Sequence, residues 1–199
     1  CSRCGTPLSS HEVAQGYKDV REESVYVRFK VKGTENDYIL AWTTTPWTLP
    51  SNVALCTNPK ETYVKLQVEN ETYILAEALV EKMFGDVENK KVLKTMKGKD
   101  LEGTEYEPLY TFATPDKKSH YMVCADYVTL TDGTGVVHIA PAYGEDDSIV
   151  GKNYDLPVVN LVKLDGTFDE RVREDWQGRF VKKVDKEIIA DLKERGLLF

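Results

Sequence analysis

The stretch GTGVVHIAPAYGEDD, Gly133 to Asp147, decides how the chain is read. A Gly-Thr-Gly turn leads into a short apolar run, Val136 to Ala140, that carries one imidazole, His138; Pro141 ends the run and a glycine-bounded acidic cluster follows. The pattern predicts a strand that hands polar groups to a loop, and then a helix beginning near Gly144. Glu145, Asp146 and Asp147 fall in the first turn of that helix, where unpaired N–H groups and the helix dipole keep a carboxylate ionised and suited to a cationic ligand. His138 and Asp147 are nine residues apart, enough for a strand end, a turn and a first helical turn to bring both side chains to one rim.

Outward from this stretch the chain reads as many short strands. Val25, Val27, Phe29 and Val31 alternate with Tyr26, Arg28 and Lys30, the period of a half-buried strand. Strands are also predicted over Tyr38 to Trp42, Val53 to Cys56, Tyr63 to Val68, Glu71 to Leu75, Tyr121 to Ala125 and Pro157 to Leu164, with a hairpin turn at Glu69-Asn70. Short helices are expected over Ala76 to Phe84 and from Gly144 to Tyr154. The cleanest helical pattern runs from Asp185, taken as its cap, to Arg195, with Gly196 as its stop. KKVLKTMKGK, Lys90 to Lys99, is the one basic segment, with Val92, Leu93 and Met96 expected in the core. Helices alternate with strands too rarely for a doubly wound sheet, so the expected class is α+β, a β-barrel-like core of short strands with a few peripheral helices.

Between two of these strands lies Trp42-Thr-Thr-Thr-Pro-Trp47-Thr-Leu-Pro-Ser-Asn52. Pro46 and Pro50 remove backbone donors and forbid a regular ladder, so Thr43, Thr44, Thr45 and Thr48 are better explained as hydroxyls presented by a rigid loop. The chain has 199 residues, 41% hydrophobic and 30% charged, with 26 basic and 33 acidic residues and a net charge of −7. It is therefore no overall electrostatic magnet for nucleic acid or anionic membrane, and no apolar run reaches the length of a membrane span. The four cysteines form one C-x-x-C pair, Cys1 and Cys4, and two singletons, Cys56 and Cys124. That usage fits a reducing, cytoplasmic setting, with Cys1 and Cys4 as half of a zinc site whose other ligands lie elsewhere. Opening on Cys1, the sequence reads as an excised piece of a larger protein, with residues 1–8 belonging to that knuckle.

Taken together, WTTTPWTLPSN and GTGVVHIAPAYGEDD resemble the editing insertion, connective polypeptide 1, of the class I aminoacyl-tRNA synthetases in its isoleucine-type form. The opening CSRCGTPLS and closing GLLF extend the resemblance along essentially the whole chain. Valine- and leucine-type relatives carry TTRPE or TTRPD where Thr45-Pro46-Trp47 stands here. The resemblance implies hydrolysis of valine wrongly attached to tRNA(Ile), and of valyl-adenylate, by a single editing domain over residues 1–199. No cofactor is implied for editing, and zinc only in the parent protein. The implied partners are the tRNA(Ile) acceptor end, the valine ester or adenylate and the parent's remaining domains, with no membrane and a monomeric state. By position, Asp147 is implied to fix the substrate ammonium, with Asp146 as second choice, and His138 to lie near the side chain and ester. Thr43, Thr45, Thr48 and Asn52 would form a polar wall for the terminal adenosine and the attacking water. Trp42, Thr44, Trp47, Ala140 and Pro141 complete the implied substrate-binding set.

An aminoacyl ester is already activated, so a positioned water and oxyanion donors suffice without a nucleophilic side chain. Size supplies the specificity: one methylene is worth about 1 to 3 kcal/mol, a magnitude established on isoleucine-selecting enzymes themselves and borrowed here, so a second pocket must admit valine and refuse isoleucine. Two competing readings are a thiol hydrolase built on Cys124, His138 and Asp147, and a non-catalytic RNA-binding module.

Overall fold

A computed structural model describes residues 6–18 and 24–199; Cys1 and Cys4, and with them the half zinc site, lie outside the described residues. The chain begins with a short helix α1 (Ser10–Ala14), closed at its start by a capping box between Ser9 and Glu12. There follow strands β1 (Val25–Lys30), β2 (Asp37–Thr43), β3 (Ala54–Thr57), β4 (Thr62–Val68) and β5 (Glu71–Ala76), helix α2 (Val80–Phe84), and strands β6 (Lys90–Lys97), β7 (Tyr121–Cys124) and β8 (Val136–Ile139). Helices α3 (Glu145–Asn153) and α4 (Val181–Glu194) complete the order.

All eight strands join one mixed sheet in the order β6-β4-β5-β2-β8-β3-β7, with β1 alongside β2. One edge of β2 pairs with β1 along Tyr38 to Thr43. Its other edge is shared: β5 pairs in parallel with Asp37 to Ile39, and β8 with Trp42. The sheet therefore forks at β2 and curls into a half-barrel. Gly135 sits in the fork, where φ is +72° and an added Cβ would stand 2.5 Å from the Cβ of Ala76; no side chain fits there. The main core gathers Phe29, Ile39, Leu55, Tyr106, Phe168 and Trp176, all fully buried, and α4 covers one flank with Val184, Ile188 and Leu192.

The α+β class and the predicted strands β1 to β5, β7 and β8 are found in the structure. Three expectations are corrected. Pro157 to Leu164 forms no strand and makes only an isolated bridge, Val162 to Phe168, before turning at Leu164. Its donors are taken by side chains instead, the Leu161 N–H by the Tyr143 hydroxyl and the Val162 N–H by Asn160 Oδ1, both at 2.9 Å. Asp185 is no cap: α4 starts a turn earlier at Val181, because Val181 and Val184 extend the buried stripe of Ile188 and Leu192 upstream. Val92 and Leu93 are about half exposed, at 49% and 46%, because β6 is an edge strand and a bulge breaks its register with β4; of the three expected core residues Met96 alone packs inward. Among the described residues no helix is long and apolar enough to cross a membrane.

Candidate active site

β2 delivers Thr43 to the start of the site, and Pro46 then opens a 3-10 turn, Pro46–Ser51. The loop between them folds back on its own hydroxyls. Thr43 Oγ1 accepts the Thr45 N–H at 3.1 Å and lies 3.2 Å from Thr45 Oγ1. Thr45 Oγ1 is 3.4 Å from Thr48 Oγ1, which in turn is 2.9 Å from His138 Nε2. Thr43, Thr45, Thr48 and His138 thus form one continuous polar chain from loop to strand. Register explains why they meet. Trp42 stands opposite Val137, so their successors Thr43 and His138 point to one face of the sheet while Trp42 and Val137 point to the other.

His138 is 7% exposed, and burial pushes its pKa down to about 4, so the ring is neutral at neutral pH. The Thr48 hydroxyl has one proton and gives it to the Thr45 carbonyl at 2.8 Å. At 2.9 Å from His138 Nε2 it must therefore accept, which assigns the proton of the imidazole to Nε2 and leaves Nδ1 as a lone-pair acceptor. That Nδ1 is buried and has no partner among the described residues.

Asp147 enters from the other side. The first turn of α3 carries it as predicted, with Gly144 as the helix cap, and its Oδ2 accepts the Ala140 N–H at 2.9 Å. The carboxylate folds over Gly144, where an added Cβ would meet its Cγ at 3.0 Å. Ala140 and Pro141 are buried between His138 and α3, with Pro141 against Gly151. Burial raises the pKa of Asp147, the Ala140 hydrogen bond partly opposes this, and the charge of Asp146 raises it further. Among the described residues no ion pair includes Asp147, and neighbouring Asp146 is exposed.

The remaining expected residues divide. Thr44 is exposed beside the loop. Trp42 lies on the opposite face, lining a cavity of about 290 Å³ with Tyr127 and Val137. Asn52 turns away into the interior, its amide nitrogen donating to the Ala54 carbonyl at 2.8 Å and its oxygen accepting from the Tyr106 hydroxyl at 2.6 Å. Trp47 braces the loop: its N–H donates to Asp185 Oδ1 at 2.9 Å, and its ring packs edge-on against Tyr143 at 5.0 Å. Asp185, Tyr106 and Tyr143 support the site and were not anticipated. Tyr143 lies inside the quoted AYG segment and could have been suspected; nothing in sequence spacing points to Asp185 or Tyr106.

Cys124 does not approach the imidazole. Its sulfur lies 3.6 Å from both Thr57 Oγ1 and the Gly98 carbonyl, and burial raises its pKa. A thiolate nucleophile activated by His138 is therefore ruled out by geometry. Among the described residues no group of three or more His, Cys, Asp or Glu side chains could hold a metal ion.

No family model matches the chain. Over its full length it is 60% identical to the isoleucine–tRNA ligase of Clostridium novyi and 45% identical to that of Pyrococcus furiosus, spanning 19% and 20% of those proteins. The chain thus covers about a fifth of the length of the curated relatives it matches. Its fold is similar to the P. knowlesi cytosolic leucyl-tRNA synthetase editing domain, with a TM-score of 0.67 at 13% identity over 93% of this chain and 98% of that one. The structure titled GlLeuRS-CP1 gives a TM-score of 0.70 at 12% identity, over 89% of this chain and 96% of that one.

Proposed function

We propose that the chain is the editing segment of an isoleucine–tRNA ligase, which its similarity to those relatives and its editing-domain fold support, and that it hydrolyses valine wrongly esterified to tRNA(Ile), and valyl-adenylate by the same site. The observation that carries this reading is the half-buried Asp147 carboxylate, which among the described residues has no cation beside it, and whose pKa is raised. An uncompensated, half-buried carboxylate is a receptor for a cationic group, and the α-ammonium of an aminoacyl ester is such a group. Oδ2 stays fixed by the Ala140 N–H and Oδ1 takes the ammonium. The ester then lies towards Thr43 and Thr45, whose hydroxyls orient the attacking water and donate to the developing oxyanion. Neutral His138 acts through Thr48, holding the hydroxyl chain in one arrangement. Thr48 and the proline-clamped loop limit the volume open to the amino-acid side chain, so valine enters and isoleucine does not.

The test is deacylation of valyl-tRNA(Ile) by wild type and Asp147→Ala. Loss of a charge-assisted hydrogen bond costs about 1.5 to 3 kcal/mol, so the rate should fall about ten- to 150-fold with the fold intact. Unchanged hydrolysis would pass the role to Asp146. No hydrolysis by wild type would remove the reading.

A further inference from the structure

β6 is the edge of the sheet farthest from β7, and its outer side pairs with no described strand. From Lys90 to Lys99 the sequence holds five lysines and no acid, in a chain whose net charge is −7. Elsewhere lysines are commonly answered by carboxylates: Lys30 by Glu107, Lys60 by Asp126, Lys82 by Asp132, Lys117 by Asp155. On β6 this stops. Among the described residues Lys91, Lys94 and Lys99 make no ion pair, and the Lys97 ammonium reaches only the Lys60 carbonyl and Thr62 hydroxyl, both at 3.1 Å. The nearest acid in sequence, Asp100, spends its carboxylate on the Lys97 backbone N–H at 2.9 Å.

The register sharpens the contrast. Lys94 stands directly opposite Lys65 on β4, a like-charge pair that costs stability in a sheet. Asp37 neutralises Lys65 at 2.7 Å; among the described residues no carboxylate neutralises Lys94. Lys91 faces Gln67, two residues along from Lys65, and so shares the face of Lys94. Lysines on an edge strand also deter strand addition, but here the bulge at Lys65/Leu66 already breaks the edge, and the uncompensated charge exceeds that need.

We infer that β6, through Lys91 and Lys94, is a docking edge for the sugar-phosphate backbone of RNA, outside the hydrolytic site. The choice of RNA as occupant rests on the proposed deacylase reading; the unanswered ammonium groups themselves do not. β6 lies three strand spacings, about 14 Å, from β2, and the register carries Lys94 across to Ile39, four residues and so about 13 Å along the strand before Thr43, where the hydroxyl loop begins. A helical RNA can bridge that separation while its 3′ end occupies the site. The half-exposed Leu93, left unpaired at the bulge between the lysines, offers apolar contact to ribose.

The experiment measures binding of an uncharged RNA hairpin with a single-stranded 3′ end, by fluorescence anisotropy across a salt series. Wild type is compared with Lys91→Glu/Lys94→Glu and with Lys183→Glu/Lys186→Glu, which makes the same charge change on the exposed side of α4. If each β6 lysine neutralises one phosphate, the β6 variant flattens the slope of log K against log salt by about 2, and binding at 0.1 M salt weakens about 60-fold. The α4 variant keeps the wild-type slope. Equal slopes for the two variants overturn the inference, as does a β6 variant that self-associates with RNA affinity unchanged. Hydrolysis of 2′(3′)-O-valyl-adenosine is followed in parallel. A wild type that binds RNA through β6 but leaves this ester intact fails the deacylase reading alone, and one that hydrolyses it with equal slopes fails the docking edge alone.

Discussion

Replacing Thr48 by valine keeps the branched shape and removes the hydroxyl. His138 Nε2–H then loses an acceptor at 2.9 Å beside an imidazole that is 7% exposed, leaving a buried donor unsatisfied at a cost of about 1 to 3 kcal/mol. The Thr45 carbonyl is not orphaned, because the Thr48 backbone N–H still donates to it at 3.0 Å, and the Thr45 hydroxyl loses its 3.4 Å contact with Thr48 but keeps Thr43 at 3.2 Å, so the imidazole alone is left without a partner. For a domain of this size, 2 kcal/mol lowers Tm by about 4 to 8 °C. Since the volume is kept, the valine variant should still spare isoleucyl-tRNA(Ile). Thr48→Ala removes the branch as well and opens room for about one methylene. If Thr48 sets the size limit as proposed, an overpacking penalty of about 1 to 3 kcal/mol against isoleucine then falls away, a gain of about 5- to 150-fold in isoleucyl ester hydrolysis. The assay is deacylation of both charged tRNAs by wild type and both variants, with a thermal melt of each. An alanine variant that leaves isoleucine untouched refutes Thr48 as the size limit. A valine variant as stable as wild type refutes the hydrogen bond that assigns the imidazole proton.

Other outcomes follow from the same geometry. The unfolded imidazole of His138 takes up a proton near 6.5 and the folded one only near 4, so the unfolded state binds more protons between these values. Stability should fall by about 3 kcal/mol as pH drops through that window, and His138→Gln should flatten this part of a Tm-versus-pH curve. Asp147 has a raised pKa and must be ionised to hold an ammonium, so hydrolysis should fade on acidification at a higher pH than an ordinary aspartate would set; an acid limb at the ordinary value would contradict the burial argument. Iodoacetamide should leave hydrolysis intact, since Cys124 meets Thr57 and Gly98 and not the imidazole. Asp185→Ala should lower kcat by loosening the Trp47 N–H anchor, whereas Asp185→Asn, which keeps an acceptor, should restore much of it; equal losses in both would argue for a charge effect instead.

Much of this architecture is legible because strand alternation and proline placement are local signals. Val25 to Val31 names its own buried face, and Pro46 and Pro50 announce that the threonines belong to a turn and not to a ladder. The meeting of Thr43 with His138 is not local. It depends on Trp42 standing opposite Val137 across parallel strands, which the resemblance could imply but spacing could not. The start of α4 was misplaced because Asp185 has the chemistry of a cap and spends it on another segment. The run after Pro157 was misread because hydrophobic pattern cannot foresee that Tyr143 and Asn160 will take the backbone donors. Asn52 looked like a wall residue by position, yet Tyr106 and Ala54 claim its amide from within the core.

The anchoring of Trp47 by Asp185 joins residues 138 apart in sequence, and this has a bearing on how the site comes into being during synthesis. β2 and its loop emerge early, β8 about a hundred residues later, and α4 later still. Until α4 docks, the 3-10 turn lacks its carboxylate anchor, and until β8 pairs, Thr48 has no imidazole to hold. A nascent chain therefore displays the threonine-rich loop long before it can act as a binding surface, and hydrolytic competence should arise in one late step. The rate of that step is set by closing long loops, not by forming any single strand or helix.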